Sequence, residues 1–484
     1  MSSPTPEQVV EPLPHDLTGR VIGYLACIWL TVSAAMVAVV ALTIVIGGTA
    51  GFLHMFQSEP LPEIPYRIRS VSWLSALCAW LLTGIGLALA SFDRIRRRWG
   101  MEIACVVTVA CSHLIALHGR HFYGDVWDYY LAAVRLMAGE ALPPRYIYPP
   151  FWATMLAPLT PAGGEVFAAV LWLSNIGALA VFQVLLARLL QRYAFPRRLA
   201  CLLAAGFLLV NVPLERTLGY VQVNLHVVNL VYGSLLLYPA HPVWSALCLA
   251  TAVHIKGSPV LFIILFLYCR DWRWLGWFGA FAIGLTIPTL VAFGAGPFAQ
   301  FLHNAINIYQ ANGIKFNDFS VDSLVRATLA LAGSEPRHAL PFIYGLKLAV
   351  LGLLFNAGRR ATRNQTFVSD DPATPVLNGV PFVLLATVLL SPLVWEHHSL
   401  LLALAYLLPL RTIRTPWEIA AWCAAVFVQF ALPVVAFYPW SYGRLVAHGV
   451  IFILCVRLPD GAVPGPLFSK IAHATDGTPS RRLG

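Results

Sequence analysis

Long apolar stretches alternate with short polar ones along almost the whole chain. A helix needs about 20 predominantly apolar residues to cross a bilayer, and several of these stretches are shorter or interrupted. The pattern predicts an all-α polytopic membrane protein with about 12 to 14 transmembrane segments. The stretches lie near residues 21–49, 72–92, 101–118, 163–190, 197–213, 221–239, 273–295, 340–357, 380–393, 398–410, 417–437 and 444–457.

The composition fits a chain that is surrounded by lipid. Of its 484 residues, 58% are hydrophobic and 11% are charged, whereas a soluble domain carries about 25% charged residues. The formal net charge is +10, but most basic residues lie in short loops, which is typical of membrane orientation signals and not of a nucleic-acid partner. The nine cysteines show no CxxC spacing. With no suitable carboxylate cluster either, the sequence predicts no metal site.

Clusters of arginine predict which loops share one side of the membrane. If all of these clusters lie in the cytoplasm, four other regions face the opposite side together, namely 119–150, 214–222, 296–339 and 391–398. Region 53–71 is expected on that side too. The clusters are Arg94 with Arg96, Arg97 and Arg98; Arg188 with Arg192, Arg197 and Arg198; Arg270 with Arg273; Arg359 with Arg360 and Arg363; and Arg411 with Arg414.

The stretch 243–269 needs a special geometry. Both of its ends are predicted to be cytoplasmic, yet it is too short for two ordinary spans. It is interrupted in the middle by the sequence His-Ile-Lys-Gly-Ser-Pro, which contains Lys256. A helical hairpin that enters the membrane only partway, with Lys256 near its tip, satisfies both conditions. Because irregular backbone at membrane depth is tolerated only beside protein or water, the break predicts a cavity. Lys256 either extends its amine to the membrane surface or binds an anionic partner.

The first outward loop contains the acidic residue that most resembles a catalytic group. Asp125 lies beside several aromatic residues, directly after a predicted outgoing helix. Charged groups at such positions are costly, which favours a functional role. The alternative is that Asp125 caps the next helix, since Asp is favoured as an N-cap and Gly124 can end the preceding turn.

Two further outward points carry polar residues. Gln222 and Asn224 lie at the mouth of an apolar stretch, where they either satisfy backbone groups or bind sugar hydroxyls. His397 and His398 lie in a bend between two short spans. Adjacent side chains point to different faces of a helix, so we expect one histidine to orient a phosphate or a sugar while the other caps the bend.

In this order, these pieces resemble glycosyltransferase family 87, whose members belong to a superfamily of polytopic sugar transferases that use polyprenyl-phosphate donors. The family's acid in the first outward loop corresponds to Asp125 and not to Asp128. Two departures stand out, since Lys256-Gly257 replaces the usual Lys-Pro and the Asn-Gln-Ser-Leu stretch is matched only loosely. The matching pieces, spread over residues 101–410, are Gly124-Asp125, Tyr129-Tyr130, Ala132-Ala133, Tyr148-Pro149-Pro150, Gln222-Val223-Asn224, Lys256, Asn317-Asp318, Ser323-Leu324 and Ser391-Pro392 through Trp395, His397 and His398.

The resemblance implies a fold and a domain organisation. The fold is a GT-C-like bundle with an extracytoplasmic active-site loop, in the inner membrane of a bacterium. Residues 1–100 are then a cytoplasmic N-terminus with two extra transmembrane helices. Residues 101–457 form the catalytic core, and residues 458–484 form a disordered cytoplasmic tail.

The resemblance also implies an activity. The protein is expected to transfer a hexose, most plausibly mannose, from a polyprenyl-phosphate sugar to a hydroxyl of a glycolipid or polysaccharide. The reaction inverts the anomeric centre, uses Asp125 as general base, and needs no cofactor. The donor phosphate is expected to bind Lys256, Arg216, His397 and His398. The sugar or acceptor is expected to contact Asp128, Tyr130, Tyr148, Gln222, Asn224 and Glu396.

Two alternatives remain open at this stage. An arabinofuranosyltransferase of the same family would use the same kind of donor with a pentose. A secondary transporter would also contain broken helices and buried charges. A transporter is disfavoured because the sequence has no visible internal repeat and because its polar residues cluster on one side instead of at the midplane.

Overall fold

The computed structural model is built almost entirely from helices. It describes residues 15–56, 58–59, 67–68, 72–117, 124–310, 318–335, 338–363, 374–432 and 438–456. Asn317 and the predicted tail 458–484 lie outside the described residues. Two strands of two residues each, β1 (Ser58–Glu59) and β2 (Arg67–Ile68), pair as a small sheet.

The helices follow the predicted apolar stretches. They are α1 (His15–Phe56), α2 (Ser72–Ser91), α3 (Asp93–Ala116), α4 (Asp125–Met137), α5 (Pro150–Leu156), α6 (Gly164–Arg192), α7 (Arg197–Leu209), α8 (Val212–Gly219), α9 (Asn224–Leu237), α10 (Pro242–Ile255), α11 (Ile263–Tyr268), α12 (Trp272–Phe293), α13 (Gly296–Gln310), α14 (Val321–Leu331), α15 (Ala339–Arg363), α16 (Thr374–Leu389), α17 (Ala403–Leu407), α18 (Pro416–Val426) and α19 (Gly443–Val456). Short 3₁₀ helices span Ala157–Ala162, Ser258–Phe262, Glu396–Leu402, Leu408–Arg411 and Trp440–Tyr442, and a π-helical turn spans Phe427–Ala431.

The prediction of an all-α polytopic membrane protein is confirmed. Among the described residues, five helices are long and apolar enough to cross a membrane. The pair α7 and α8, bent by 63° at a short break, makes a sixth candidate. Seven shorter apolar helices accompany them. The total of 12 to 14 segments stays a prediction, because the short helices qualify as spans only in combination.

The chain divides into two compact units. The first comprises Met1–Ser58 and Arg69–Arg120, and the second comprises Glu59–Ile68 and His121–Gly484. In the first unit α2 packs on α1, where the rings of Trp29 and Trp80 stack at 4.2 Å. The indole N–H of each tryptophan donates to the backbone carbonyl of the other. Since α3 packs on α2 in this unit, the structural division falls after residue 120 and not at the predicted residue 100.

The second unit has an aromatic core between α6, α9, α10 and α12. Phe182 and Tyr232 pack at 5.6 Å, and Phe266 stacks on Trp274 at 3.5 Å. The Tyr232 hydroxyl donates to the Leu401 carbonyl and accepts from a backbone N–H of α17. A buried phenol needs such partners because an unpaired polar group inside protein is costly. These bonds tie α9 to the segment that follows residue 395.

The stretch 243–269 forms the predicted hairpin. The chain leaves α10 at Lys256, turns through the 3₁₀ helix Ser258–Phe262, and returns as α11. The two ends of the stretch meet, since the Tyr238 ring packs on Phe266 and the Tyr238 hydroxyl donates to Asp271 Oδ2 at 3.0 Å. At about 1.5 Å per residue, α10 carries Lys256 about 20 Å away from this closure. Lys256 therefore lies at the tip of the hairpin.

Three of the arginine clusters gather at the closed end of the hairpin. Arg192 Nη1 donates to the Tyr238 carbonyl at 2.6 Å. Arg411 Nη1 donates to the Tyr193 carbonyl at 3.1 Å, and the Tyr193 hydroxyl reaches the Leu377 carbonyl. The clusters at 188–198, 270–273 and 411–414 thus lie at the same end of the second unit, opposite Lys256.

Candidate active site

The four regions that the charge pattern assigned to one side meet at the other end of this unit. Tyr148 of the first region and Gln222 of the second both contact Asp125. Asn304, in the third region, donates to the carbonyls of residues 143 and 146 in the first. The third and fourth regions join where the Val394 N–H donates to the Asp318 carboxylate. The prediction that these regions lie together is confirmed.

Asp125 occupies the first turn of α4 and does not cap it. The N-cap is Gly124, which has a φ of 120°. A Cβ at this position would lie 2.5 Å from the Tyr220 ring, so only glycine fits the turn. The capping alternative for Asp125 is therefore wrong. A carboxylate at a helix N-terminus is also favoured by the helix dipole.

The Asp125 carboxylate is held through one of its two oxygens. The Tyr148 hydroxyl donates to Oδ2 at 2.8 Å, and Gln222 Nε2 donates to the same oxygen at 2.9 Å. Among the described residues, Oδ1 has no hydrogen-bond partner. Burial raises the pKa of the Asp125 carboxyl, and the Tyr148 hydrogen bond, the charge of Lys256 and the Gln222 hydrogen bond only partly offset that rise. Asp125 is thus an oriented carboxylate with one oxygen available and more basic than an ordinary aspartate.

A chain of side-chain hydrogen bonds runs from this carboxylate to the hairpin tip. Gln222 Oε1 accepts from Asn224 Nδ2 at 2.6 Å, and Asn224 Oδ1 accepts from Lys256 Nζ at 2.8 Å. Val221, just before Gln222, has a φ of 52°, a left-handed conformation that costs about 1–3 kcal/mol for such a residue. Both amides therefore hold other side chains. This position for Gln222 and Asn224 differs from simple satisfaction of backbone groups.

His397 and His398 both face the same cavity. Their rings lie perpendicular at 4.7 Å, and each lies within 6 Å of the Trp395 ring. The expectation that the two histidines would diverge is wrong, because they begin a 3₁₀ helix instead of an α-helix. His397 Nε2 is buried and has no hydrogen-bond partner among the described residues. It is available as a ligand for an oxygen atom in the cavity.

The cavity has a polar end and apolar walls. Its volume is about 370 Å³. Tyr148, Asn224, Lys256 and the two histidines line the polar end. The walls are apolar and come from α9, α13, α16 and the returning half of the hairpin, through Val227, Val228, Val260, Leu261, Phe301, Ala305, Leu390, Leu400 and Leu401. The arrangement suits a ligand with an anionic group and a hydrocarbon chain.

The sequence model of glycosyltransferase family 87 matches residues 146–392, just over half of the chain. The chain belongs to glycosyltransferase family 87. No curated protein and no solved structure matches it. Membership makes the protein a membrane glycosyltransferase, and a secondary transporter is no longer the better interpretation.

The family 87 match contains Tyr148, Gln222, Asn224 and Lys256. Asp125 precedes the matched residues and the two histidines follow them. Hydrogen bonds nonetheless join Asp125 to Tyr148 and Gln222 inside the match. The structure thus unites the predicted base with the family segment.

Arg216 and Glu396 bind each other. Arg216 Nε lies 3.0 Å from Glu396 Oε2, and Arg444 Nη2 lies 2.6 Å from Glu396 Oε1. Glu396 is 3% exposed and both of its oxygens are occupied. Its position therefore disagrees with the prediction that it binds sugar or acceptor. Arg216 likewise directs its Nε toward a protein carboxylate, although it was predicted to bind the donor phosphate.

Asp128 and Tyr130 lie outside this network. Burial raises the pKa of the Asp128 carboxyl, and the charge of Arg145 partly offsets the rise. Tyr130 packs edge-to-face on Phe167 at 5.2 Å, which is a packing contact. Their predicted sugar contacts stay predictions. Among the described residues, no group of three or more His, Cys, Asp or Glu side chains is arranged to hold a metal ion.

Sequence reasoning missed Arg444 and undervalued Asp318. Arg444 is an arginine in the first turn of α19 and is 4% exposed. A charge so close to an apolar helix was a usable signal. Asp318 was noted only as part of a loose match, yet it is buried and binds the backbone of the loop that carries the histidines.

Proposed function

We propose that this family 87 protein transfers mannose from a polyprenyl-phosphate donor to an extracytoplasmic hydroxyl, with Asp125 as general base. One observation carries the proposal. Tyr148 and Gln222 both bind Oδ2 of Asp125, and this leaves Oδ1 available beside a cavity that contains Lys256 and two histidines. A base needs an accessible lone pair and a pKa above that of a free carboxylate, and Asp125 has both.

The proposed reaction is a single displacement. The acceptor hydroxyl gives its proton to Asp125 Oδ1 as its oxygen forms a bond to the anomeric carbon of the donor. The bond from that carbon to the phosphate oxygen breaks, and polyprenyl phosphate leaves with a second negative charge. The attack occurs opposite the leaving group, so a β-linked donor gives an α-linked product. The leaving phosphate needs no strong acid, but its growing charge needs a preorganised cation, for which Lys256 is the candidate.

The apolar surroundings support a lipid-linked donor. Leu261 and Val388 line the polar-ended cavity, and a second, smaller cavity begins one turn further along the same two elements. That second cavity is lined by apolar residues of α11, α15 and α16, and includes Gly358 and Gly379. The two cavities follow one line between α11 and α16, which gives a prenyl chain a path away from Lys256.

The proposed orientation places Asp125 outside the cytoplasm of a bacterial cell. The arginine clusters favour a cytoplasmic location for the closed end of the hairpin. Trp244, Trp272 and Trp417 lie near that end and are 60%, 67% and 84% exposed. Exposed tryptophan is enriched where a bilayer meets water. The acceptor is then a glycolipid or polysaccharide of the cell envelope.

The function is tested with purified protein in nanodiscs, radiolabelled polyprenyl-phosphate mannose and a membrane lipid extract. We expect wild type to transfer label, Asp125→Asn to lose transfer while remaining folded, and the control Asp93→Asn, a change at an exposed residue of α3, to behave as wild type. Transfer from polyprenyl-phosphate arabinose alone would replace mannose by a pentose. Activity in Asp125→Asn would refute the assignment of the base, and a wild type inactive with both donors would refute the donor class.

A further inference from the structure

The segment Ser391–His398 carries both histidines into the cavity, and its conformation depends on contacts behind it. It links α16 to the 3₁₀ helix that starts at Glu396. Few hydrogen bonds arise within the segment itself, such as the one from Ser391 Oγ to the Leu393 carbonyl at 2.8 Å. A short irregular segment of this kind needs external partners to keep two adjacent rings in one place.

The first external partner is the backbone around Asp318. The Phe319 N–H donates to the Val394 carbonyl at 2.8 Å, and the Val394 N–H donates to Asp318 Oδ1 at 2.9 Å. Asp318 is itself fixed, because it accepts from the N–H and the hydroxyl of Ser320. Ser320 in turn caps α14. Both backbone groups of Val394 are therefore tied to the start of α14.

The second partner is an ion-pair cluster two residues later. Glu396 lies between Arg216 of α8 and Arg444 of α19, and each guanidinium binds a different carboxylate oxygen. Arg444 also donates to the Leu432 carbonyl at 2.9 Å and lies 4.6 Å over the Phe319 ring. The two partners thus touch each other through Arg444 and Phe319.

We propose that Glu396 is a positioning residue whose two arginine partners, Arg216 and Arg444, fix the orientation of His397 and His398 toward the donor phosphate. The cluster touches neither the cavity nor Asp125, so it acts through the histidines. Arg216 and Glu396 then serve the donor site indirectly and need no contact with the ligand. Two charge-paired arginines also explain why a carboxylate directly before the histidines is tolerated beside a site for an anion, since the local charge stays positive.

The proposal makes a distinction that a purely structural role does not. Because the histidines lie on the donor side of the cavity and Asp125 has its own hydrogen bonds, loosening the cluster should weaken donor binding and leave proton transfer intact. We expect Glu396→Gln to raise the donor KM about tenfold or more with a smaller change in kcat. The acidic limb of the pH profile should not move. Glu396→Asp, which keeps a carboxylate between the arginines, should recover part of the loss.

The transfer arm rests on the proposed function, so a second arm is independent of activity. Amide hydrogen exchange of the full chain in nanodiscs is compared for wild type, Glu396→Gln and the exposed control Glu140→Gln. We expect faster exchange in peptides that cover residues 391–398 of Glu396→Gln only, with no change over 124–137. If Glu396→Gln does not fold, Arg216→Gln, at the 43% exposed side of the cluster, replaces it in both arms.

The outcomes separate the two ideas. Wild-type protection over 391–398 in Glu396→Gln would overturn the positioning role even in a protein with no measurable transfer. An unchanged donor KM in an active variant would also overturn it. Inactive wild type with the expected exchange result would instead refute the proposed donor and keep the role of Glu396 in fixing the histidines.

Discussion

Removing the Tyr148 hydroxyl should make Asp125 a stronger base at the cost of activity in acid. Tyr148 donates a hydrogen bond to Asp125 Oδ2 and so lowers a pKa that burial has raised. In Tyr148→Phe that bond is lost and the ring is kept. The carboxyl then holds its proton to a higher pH. Since the base must be ionised to accept the acceptor's proton, the acidic limb of kcat/KM should move to higher pH.

The size of the shift follows from the bond that is lost. A hydrogen bond to a charged group contributes about 1.5–3 kcal/mol, and one pKa unit corresponds to about 1.4 kcal/mol. The full loss would be about 1 to 2 units. Gln222 remains on the same oxygen at 2.9 Å. Because this second donor compensates in part, we expect a shift of about one unit.

The assay measures initial rates of sugar transfer from about pH 4 to pH 9, with donor and acceptor varied so that kcat/KM is obtained at each pH. Tyr146→Phe is the matched control. Tyr146 is equally buried and its ring lies 5.7 Å from that of Tyr148, but its hydroxyl donates to the Pro149 carbonyl and not to Asp125. A limb that stays in place in folded Tyr148→Phe, or moves to lower pH, would refute the assignment of Asp125 as the titrating base.

Three other changes test separate parts of the structure. Lys256→Met should raise the donor KM by about tenfold to a hundredfold, since it removes a charge-assisted bond to phosphate; a KM equal to that of His254→Gln, a hairpin residue bonded to Thr286, would contradict this. Gly124→Ala should lower the unfolding temperature more than Gly139→Ala, because both have positive φ but only the Cβ at 124 meets a ring. Burial raises the pKa of Asp318 from 3.8 to about 6, so its contribution to stability is full below pH 3.8 and is lost as the pH rises through 6. The unfolding temperature of wild type should thus fall relative to that of Asp318→Asn across this range, and parallel curves would exclude the titration.

The sequence predicts the elements that depend on local pattern. Apolar length located the helices, and charge parity located the hairpin with Lys256 at its tip. The same parity brought Asp125 and Gln222 to one end of the protein before any contact was known. These inferences succeed because a bilayer imposes one strong rule on length and one on charge.

The contacts between distant residues could not be predicted in this way. Glu396 and Arg444 are far apart in sequence, and their pairing depends on where α19 packs. The rule that a charge near the membrane is functional does not distinguish a residue that binds substrate from one that binds another residue. The common orientation of His397 and His398 was missed for a different reason. Nothing in the local sequence indicated that Glu396–Leu402 would be a 3₁₀ helix.

The two carboxylates nearest the cavity show how environment divides one chemical group into two roles. Asp125 receives its hydrogen bonds from a phenol and an amide, which are neutral, and both bind a single oxygen. Glu396 receives one guanidinium on each oxygen, so neither is left for a substrate. A neutral donor orients a carboxylate and only partly offsets the effect of burial on its pKa, whereas a fixed cation compensates its charge and removes its tendency to take a proton. The carboxylate with neutral partners can therefore act as the base, and the carboxylate with two arginines can only hold its neighbours in place.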